Sequence, residues 1–147
     1  MRLTERNWLE VLSIWQGCER ITLLPEVQTI LTRSVCEWAG VPLTADEVTV
    51  RSGQLAALID GAGGIGARHW QARRARRESE DWISTLIAQV RNGSVQAGRD
   101  QALSVVARHR DADGQLLNEK TAAVEMITCF GLRSRSADSS FTPPWSC

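Results

Sequence analysis

The sequence predicts an all-α fold. Apolar residues recur at three- and four-residue spacing through most of positions 4–127. Helix start and stop signals fall between those runs: Gly40, Thr44 with Glu47, Asn92-Gly93 and Asn118. No stretch alternates apolar and polar residues long enough to make a strand. Val48-Thr49-Val50 looks strand-like alone, but it lies inside a helical period.

The first helix is expected over 4–16, with Trp8, Val11, Leu12 and Trp15 on one face and Thr4 as its cap. Leu24, Val27, Ile30, Leu31, Val35 and Trp38 form a second stripe over 23–38. Pro25 is tolerated in the first turn, and Gly40 ends the helix as a C-cap. Thr44 and Glu47 fit a capping box for a third helix, whose apolar face is Val48, Leu55, Leu58 and Ile59. GAGGIG at 61–66 breaks it. A long helix follows over 68–91, with Trp70, Trp82, Leu86, Ile87 and Val90 facing inward and Asn92-Gly93 ending it. A shorter helix covers 101–108, DADGQ at 111–115 is a turn, and Asn118 caps a last helix beginning EKTAAVEMI.

One domain is the default for 147 residues. A formal net charge of zero gives no global attraction to nucleic acid or to a membrane. No apolar run approaches the roughly 20 residues that cross a bilayer. The N-terminus MRLTERNWLE lacks the apolar core of a signal peptide, so a cytoplasmic protein without a membrane span is expected. The four cysteines, Cys18, Cys36, Cys129 and Cys147, form no CxxC pair and read as free thiols. His69 and His109 are too far apart in sequence to suggest a zinc site, and no metal ligand is assigned.

GAGGIG matches the dinucleotide fingerprint GxGxxG, which needs a preceding strand. Here LAALID, a helical segment, precedes it, so a helix–helix connection is the expectation. Arg68, Arg73, Arg74, Arg76 and Arg77 form a local basic run that could hold phosphates. Glu78, Glu80 and Asp81 follow, and Arg74–Glu78, Arg76–Glu80 and Arg77–Asp81 are spaced as ion pairs. A self-neutralising helix face is expected, with no nucleic-acid partner. The six tryptophans read as core packing. Two histidines support no nucleophile–base arrangement, and no catalytic residue is assigned.

Three strings, VCEWAGVPLTADEV, IDGAGGIGARHWQARRARRESEDWI and ARHRDADGQLLNEKTAAVEMI, together resemble the fatty-acid peroxygenase branch of the cytochromes P-450. The resemblance covers residues 4–127 and implies the middle helices of that fold. It implies heme b as cofactor in the complete enzyme, with a fatty acid and hydrogen peroxide as its reactants. It places Ile65 at an apolar position of the substrate channel, where plain packing is the other reading. It gives His69 and the arginines of RRARR structural roles. In that branch the last of these helices continues into an Arg-Pro pair that binds the substrate carboxylate. A heme-ligating cysteine thiolate follows much later. The residues here reach neither, so no cofactor is expected bound by this chain, and the chain alone is expected to be inactive. The alternative is a helical interaction module without catalysis.

The last twenty residues, TCFGLRSRSADSSFTPPWSC, lack a helical period, and 128–147 are expected to be a disordered or non-native tail behind a 1–127 P-450 segment. Sixteen of the 17 basic residues are arginine, which suggests a G+C-rich gene. One allowed back-translation from Ile127, read one frame over, gives Asn-Leu-Leu-Arg-Pro-Thr-Val-Ala-Ile. That continues the helix through an Arg-Pro pair. A frameshift after Ile127 is the expectation this generates.

Overall fold

The computed structural model describes residues 2–16, 20, 22–60 and 66–135. Among these, six α-helices follow one another: α1 Arg2–Trp15, α2 Leu23–Ala39, α3 Ala45–Asp60, α4 Ala67–Arg91, α5 Ala102–Arg108 and α6 Glu119–Arg135. The only β-type pairing among the described residues is an isolated bridge between Arg110 and Leu116. Val48-Thr49-Val50 lies within α3, so period prevailed over β propensity.

The helix α4 is the organising element. It packs along α3 on one side and α6 on the other, while α5 closes against α4 and α6; α1 reaches this assembly through α2. The inward stripe of α4 is Ala72, Ala75, Ser79, Ile83, Leu86, Ile87 and Val90. Its first half is built from small residues, which let the neighbouring helix approach closely. Its second half is large and aliphatic. There it joins Val35, Cys36, Leu103, Ala107, Ala122, Ala123, Met126 and Phe130 in one core. Trp70, expected inside, lies opposite the Ala72–Ala75–Ser79 stripe and is 68% exposed. Size suggested the core, but helical phase puts the alanines there.

The ends of α2 and α3 follow local chemistry. Gly40 takes φ 76°, and the amides of Gly40 and Val41 donate to Glu37 O and Cys36 O (3.2 and 2.9 Å), the C-cap predicted for this glycine. A Cβ at Gly40 would also lie 2.5 Å from Gln101 Oε1. Gln101 needs that space: its Oε1 accepts from the Gly98 amide at 2.6 Å and its Nε2 donates to Glu37 O at 3.3 Å. At the start of α3 the capping box is one-sided. The Glu47 carboxylate accepts from the Thr44 amide (3.2 Å), but the Thr44 hydroxyl donates to the same carboxylate (2.8 Å) rather than accepting from the helix. Thr4 does not cap α1, which already begins at Arg2. Asn118 caps α6 as expected, with the Lys120 amide donating to Asn118 Oδ1 at 2.9 Å.

The helix α1 is attached to α2 by a buried polar contact. Asn7 Nδ2 donates to Ser34 Oγ at 2.9 Å, and Ser34 Oγ donates to Ile30 O at 2.8 Å. Arg6 and Glu37 form an ion pair outside it. Leu12 and Leu24, placed inward by the sequence pattern, are exposed. Described residues of α1 and α2 leave that side of the stripe uncovered, while Ile30, Val35 and Cys36 turn to the core.

At the far end of α4, Arg91 joins three segments. Its Nε donates to Ala107 O (2.9 Å) and its Nη2 to Leu117 O (2.7 Å). These bonds occupy a carbonyl of the last turn of α5 and one just before α6.

Regular structure continues past Ile127. Thr128 Oγ1 donates to Val124 O at 2.9 Å, Cys129 is half-buried, and Phe130 is 3% exposed in the core. The helix runs to Arg135, and residues 136–147 of the expected tail lie outside the described residues.

Two outcomes test this packing. Phe130→Ala removes a buried ring and should lower the unfolding free energy by about 3–5 kcal/mol, read by urea denaturation; an unchanged midpoint would place Phe130 outside the folded unit. At the start of α3, bonds from the Thr44 hydroxyl and amide hold the Glu47 carboxyl below its ordinary value of 4.5, assisted by Arg51. A lowered pKa means the contribution is present above the ordinary value and is lost as pH falls through the lowered one. Glu47→Gln should therefore melt below wild type at neutral pH, with the gap closing as pH falls through the carboxylate range.

Candidate functional site

The segment assigned to a substrate channel, with Ile65, is the α3–α4 connection, and Ile65 lies outside the described residues. The elements that flank it are well defined. Gly66, at φ 107°, starts α4 from a conformation that L side chains rarely adopt. A helix precedes the glycines, so GAGGIG lacks the strand that a dinucleotide-binding turn requires.

Below this connection α3 and α4 are held by a chain of polar contacts. Glu47 and Arg51 approach within 3.8 Å, and Arg51 Nη1 donates to Gln54 Oε1 at 3.0 Å. Gln54 Nε2 donates across to Glu78 Oε2 at 2.8 Å, and Arg74 Nε donates to Glu78 Oε1 at 2.8 Å. The Arg74 and Gln54 bonds hold the Glu78 carboxyl below the usual carboxylate range. The Arg51 guanidinium sits 4.2 Å above the Trp82 ring, a cation–π contact in a largely buried setting. Arg51 Nε is buried and finds no hydrogen-bond partner among the described residues. The network anchors the two helices without a nucleophile or an acid–base pair in it. Sequence reading missed it, because Gln54–Glu78 and Arg51–Trp82 link residues far apart in the chain.

The basic run resolves into distinct faces. Arg74–Glu78 and Arg76–Glu80 pair as expected, at 2.8 and 2.7 Å. Arg77 and Asp81, the third expected pair, do not meet; Asp81 instead accepts, through its backbone carbonyl, from Thr85 Oγ1. His69 stands edge-on to Trp70 at 6.3 Å.

Neither described cysteine suits a heme thiolate. Cys36 is 1% exposed within the aliphatic core, and burial pushes its thiol up to about 12, outweighing the opposing influence of Arg51. The Cys129 thiol is also raised, by burial and then by the Glu125 charge. A heme ligand must be a thiolate beside an open face. Cys18 and Cys147 lie outside the described residues. No group of three or more His, Cys, Asp or Glu residues among the described ones is placed to hold a metal. No described helix is long and apolar enough to cross a membrane.

No family model matches the chain. Solved structures do. Cytochrome P450SP alpha in complex with (R)-ibuprophen is 39% identical, with a TM-score of 0.82 over 88% of this chain and 32% of that one. Cytochrome P450EX alpha with myristic acid is 35% identical, with a TM-score of 0.80 over 88% of this chain and 31% of that one. The chain belongs to the CYP152 branch of the cytochromes P-450. Ligand-free cytochrome P-450 OleT, at 22% identity and a TM-score of 0.81, shares the fold. This CYP152 chain spans about a third of the length of the structures it matches, and its six helices are a partial P-450 fold. The three strings that resembled this branch run from the end of α2 into α3, from the end of α3 through the first two thirds of α4, and from the end of α5 into α6.

The state of Cys36 is directly testable. With its thiol raised by burial, a thiol reagent at pH 8 should leave Cys36 unmodified in the folded chain and label it after denaturation. Peptide mass mapping reads the site, and labelling of folded Cys36 at the rate of a free thiol would contradict the burial.

Proposed function

We propose that this chain carries substrate-side helices of a heme-thiolate fatty-acid peroxygenase and, by itself, neither ligates heme nor turns over. The observation that carries the first half is 39% identity to cytochrome P450SP alpha at a TM-score of 0.82. Cytochrome P450EX alpha, which the chain also matches, was solved with myristic acid, and this supports a fatty acid as the substrate class. The complete enzyme would hold heme b and use hydrogen peroxide as oxidant in the cytoplasm. Heme would supply the oxidising chemistry. The residues of this chain would shape the substrate side, with Ile65 an apolar contact of the channel and the Arg51–Gln54–Glu78 contacts holding α3 and α4 on either side of it.

Two features support the second half. Both described cysteines have raised thiol pKa values, one of them in the sealed core. After Ile127 the sequence reads Thr-Cys-Phe-Gly-Leu-Arg-Ser, and Arg133 is followed by serine rather than proline. The carboxylate-binding Arg-Pro of the branch therefore has no counterpart in α6. We read 1–127 as the P-450 segment and 128–147 as the product of a shifted frame.

A second reading has its own support. The core closes across α2, α4, α5 and α6 and includes Phe130, so the chain has an interior independent of heme. That favours a helical interaction module that kept the scaffold.

The chain mixed with hemin, reduced and exposed to carbon monoxide, should give no heme-thiolate band; a band of that type would overturn the inactive reading. Sequencing the gene from codon 120 in all three frames separates the two proposals. A shifted frame running through Arg-Pro to a heme-binding cysteine loop supports the interrupted peroxygenase, and its absence leaves the interaction module.

A further inference from the structure

We propose that the exposed edge of α4 around Trp70 is a docking site for an anionic lipid bilayer surface. Trp70 is 68% exposed on the first turns of α4. Trp70, Arg73 and Arg77 are spaced i, i+3 and i+7, so they share one face. The Arg73 guanidinium lies 5.6 Å from the centre of the Trp70 ring, and His69 stands at its edge. Neither Arg73 nor Arg77 has an ion-pair partner among the described residues, whereas Arg74 and Arg76 are neutralised by Glu78 and Glu80. The first turn of α4 holds no acidic residue, and the helix N-terminus adds partial positive charge of its own. Glu78 is held towards α3 by Gln54 and is paired with Arg74 within α4. The first acid on the Trp70 face is Asp81, eleven residues beyond Trp70 and one turn beyond Arg77, with which it forms no ion pair.

This combination selects its partner by charge and by shape. An indole is apolar over its rings and polar at one edge, which suits it to the headgroup level of a bilayer. Two uncompensated guanidiniums beside it match anionic headgroups. The patch is short, with a single large exposed aromatic side chain, Trp70. A nucleic-acid track would need more cations in line, and Asp81 interrupts this one. The site stands on the α4 edge alone, independent of any heme chemistry. It would bring the chain to the surface in which long-chain acids partition.

The test uses the full 147-residue chain in co-sedimentation with vesicles. It should bind phosphatidylcholine vesicles containing phosphatidylglycerol, fail to bind phosphatidylcholine alone, and release as salt rises. Trp70→Ala should weaken binding about tenfold. Arg73→Ser with Arg77→Ser should weaken it about 25-fold, at roughly fivefold per arginine. Arg99→Ser, an exposed arginine away from α4, should leave it unchanged. Circular dichroism of each variant confirms that the helices are intact. Equal binding to neutral vesicles, no vesicle binding by the wild type, or wild-type affinity in both α4 variants overturns the proposal. So does binding to duplex DNA without binding to anionic vesicles.

Discussion

The packing of α4 against two partners at once is the constraint on which the rest of the structure depends. Ala72, Ala75 and Ser79 leave no bulk on the inward face of its first half, so another helix can lie close to its backbone. Ile83, Leu86, Ile87 and Val90 then supply the large aliphatic surface that Leu103, Ala122, Ala123 and Met126 cover. Burial at roughly 25 cal/mol per Å² makes this second half the main source of stability, because it removes whole side chains from water. The polar contacts set geometry. Gln54–Glu78 fixes α3 against α4 near the middle of the long helix, and Arg91 ties its far end to the segments on either side of the turn before α6.

That arrangement separates scaffold from chemistry. The likeness to the solved P-450 structures extends over 88% of the chain, and Cys36, buried in the core, serves as a small hydrophobe. Its thiol is held protonated by the same burial that makes it useful to the core. A metal ligand needs the reverse, a stabilised thiolate at an open face. The charged residues of α3 and α4 act in the same structural sense: Arg51 directs its charge to Glu47, Gln54 and the face of Trp82.

The edge of α4 opposite the alanine stripe follows from the same packing. Placing the small residues inward forces Trp70, Arg73 and Arg77 outward together. An apolar ring and two cations therefore share one exposed face as a consequence of how α4 meets its neighbours. The face that packs thus determines what the free face displays.

Helix positions were readable from sequence because capping and periodicity are local. Gly40, Asn92-Gly93 and Asn118 end or start helices within a residue or two of expectation, since each satisfies backbone groups of its own turn. The family was readable for a different reason: three long strings resembled it, and composition alone would not have named it. What the sequence by itself determined was therefore the helices, their order and the P-450 likeness. Tertiary structure decided which face of each helix is buried. Trp70 went outside and Ala72 inside because the Ala72–Ala75–Ser79 side of α4 is the one that meets its neighbours, and Trp70 lies opposite it. Leu24 stayed exposed because no described element covers it. Phe130 entered the core, past the point where the apolar period fades, because α4 and α6 lie together there and leave a space that a ring fills. Those outcomes depend on residues distant in the chain, and periodicity carries no information about them.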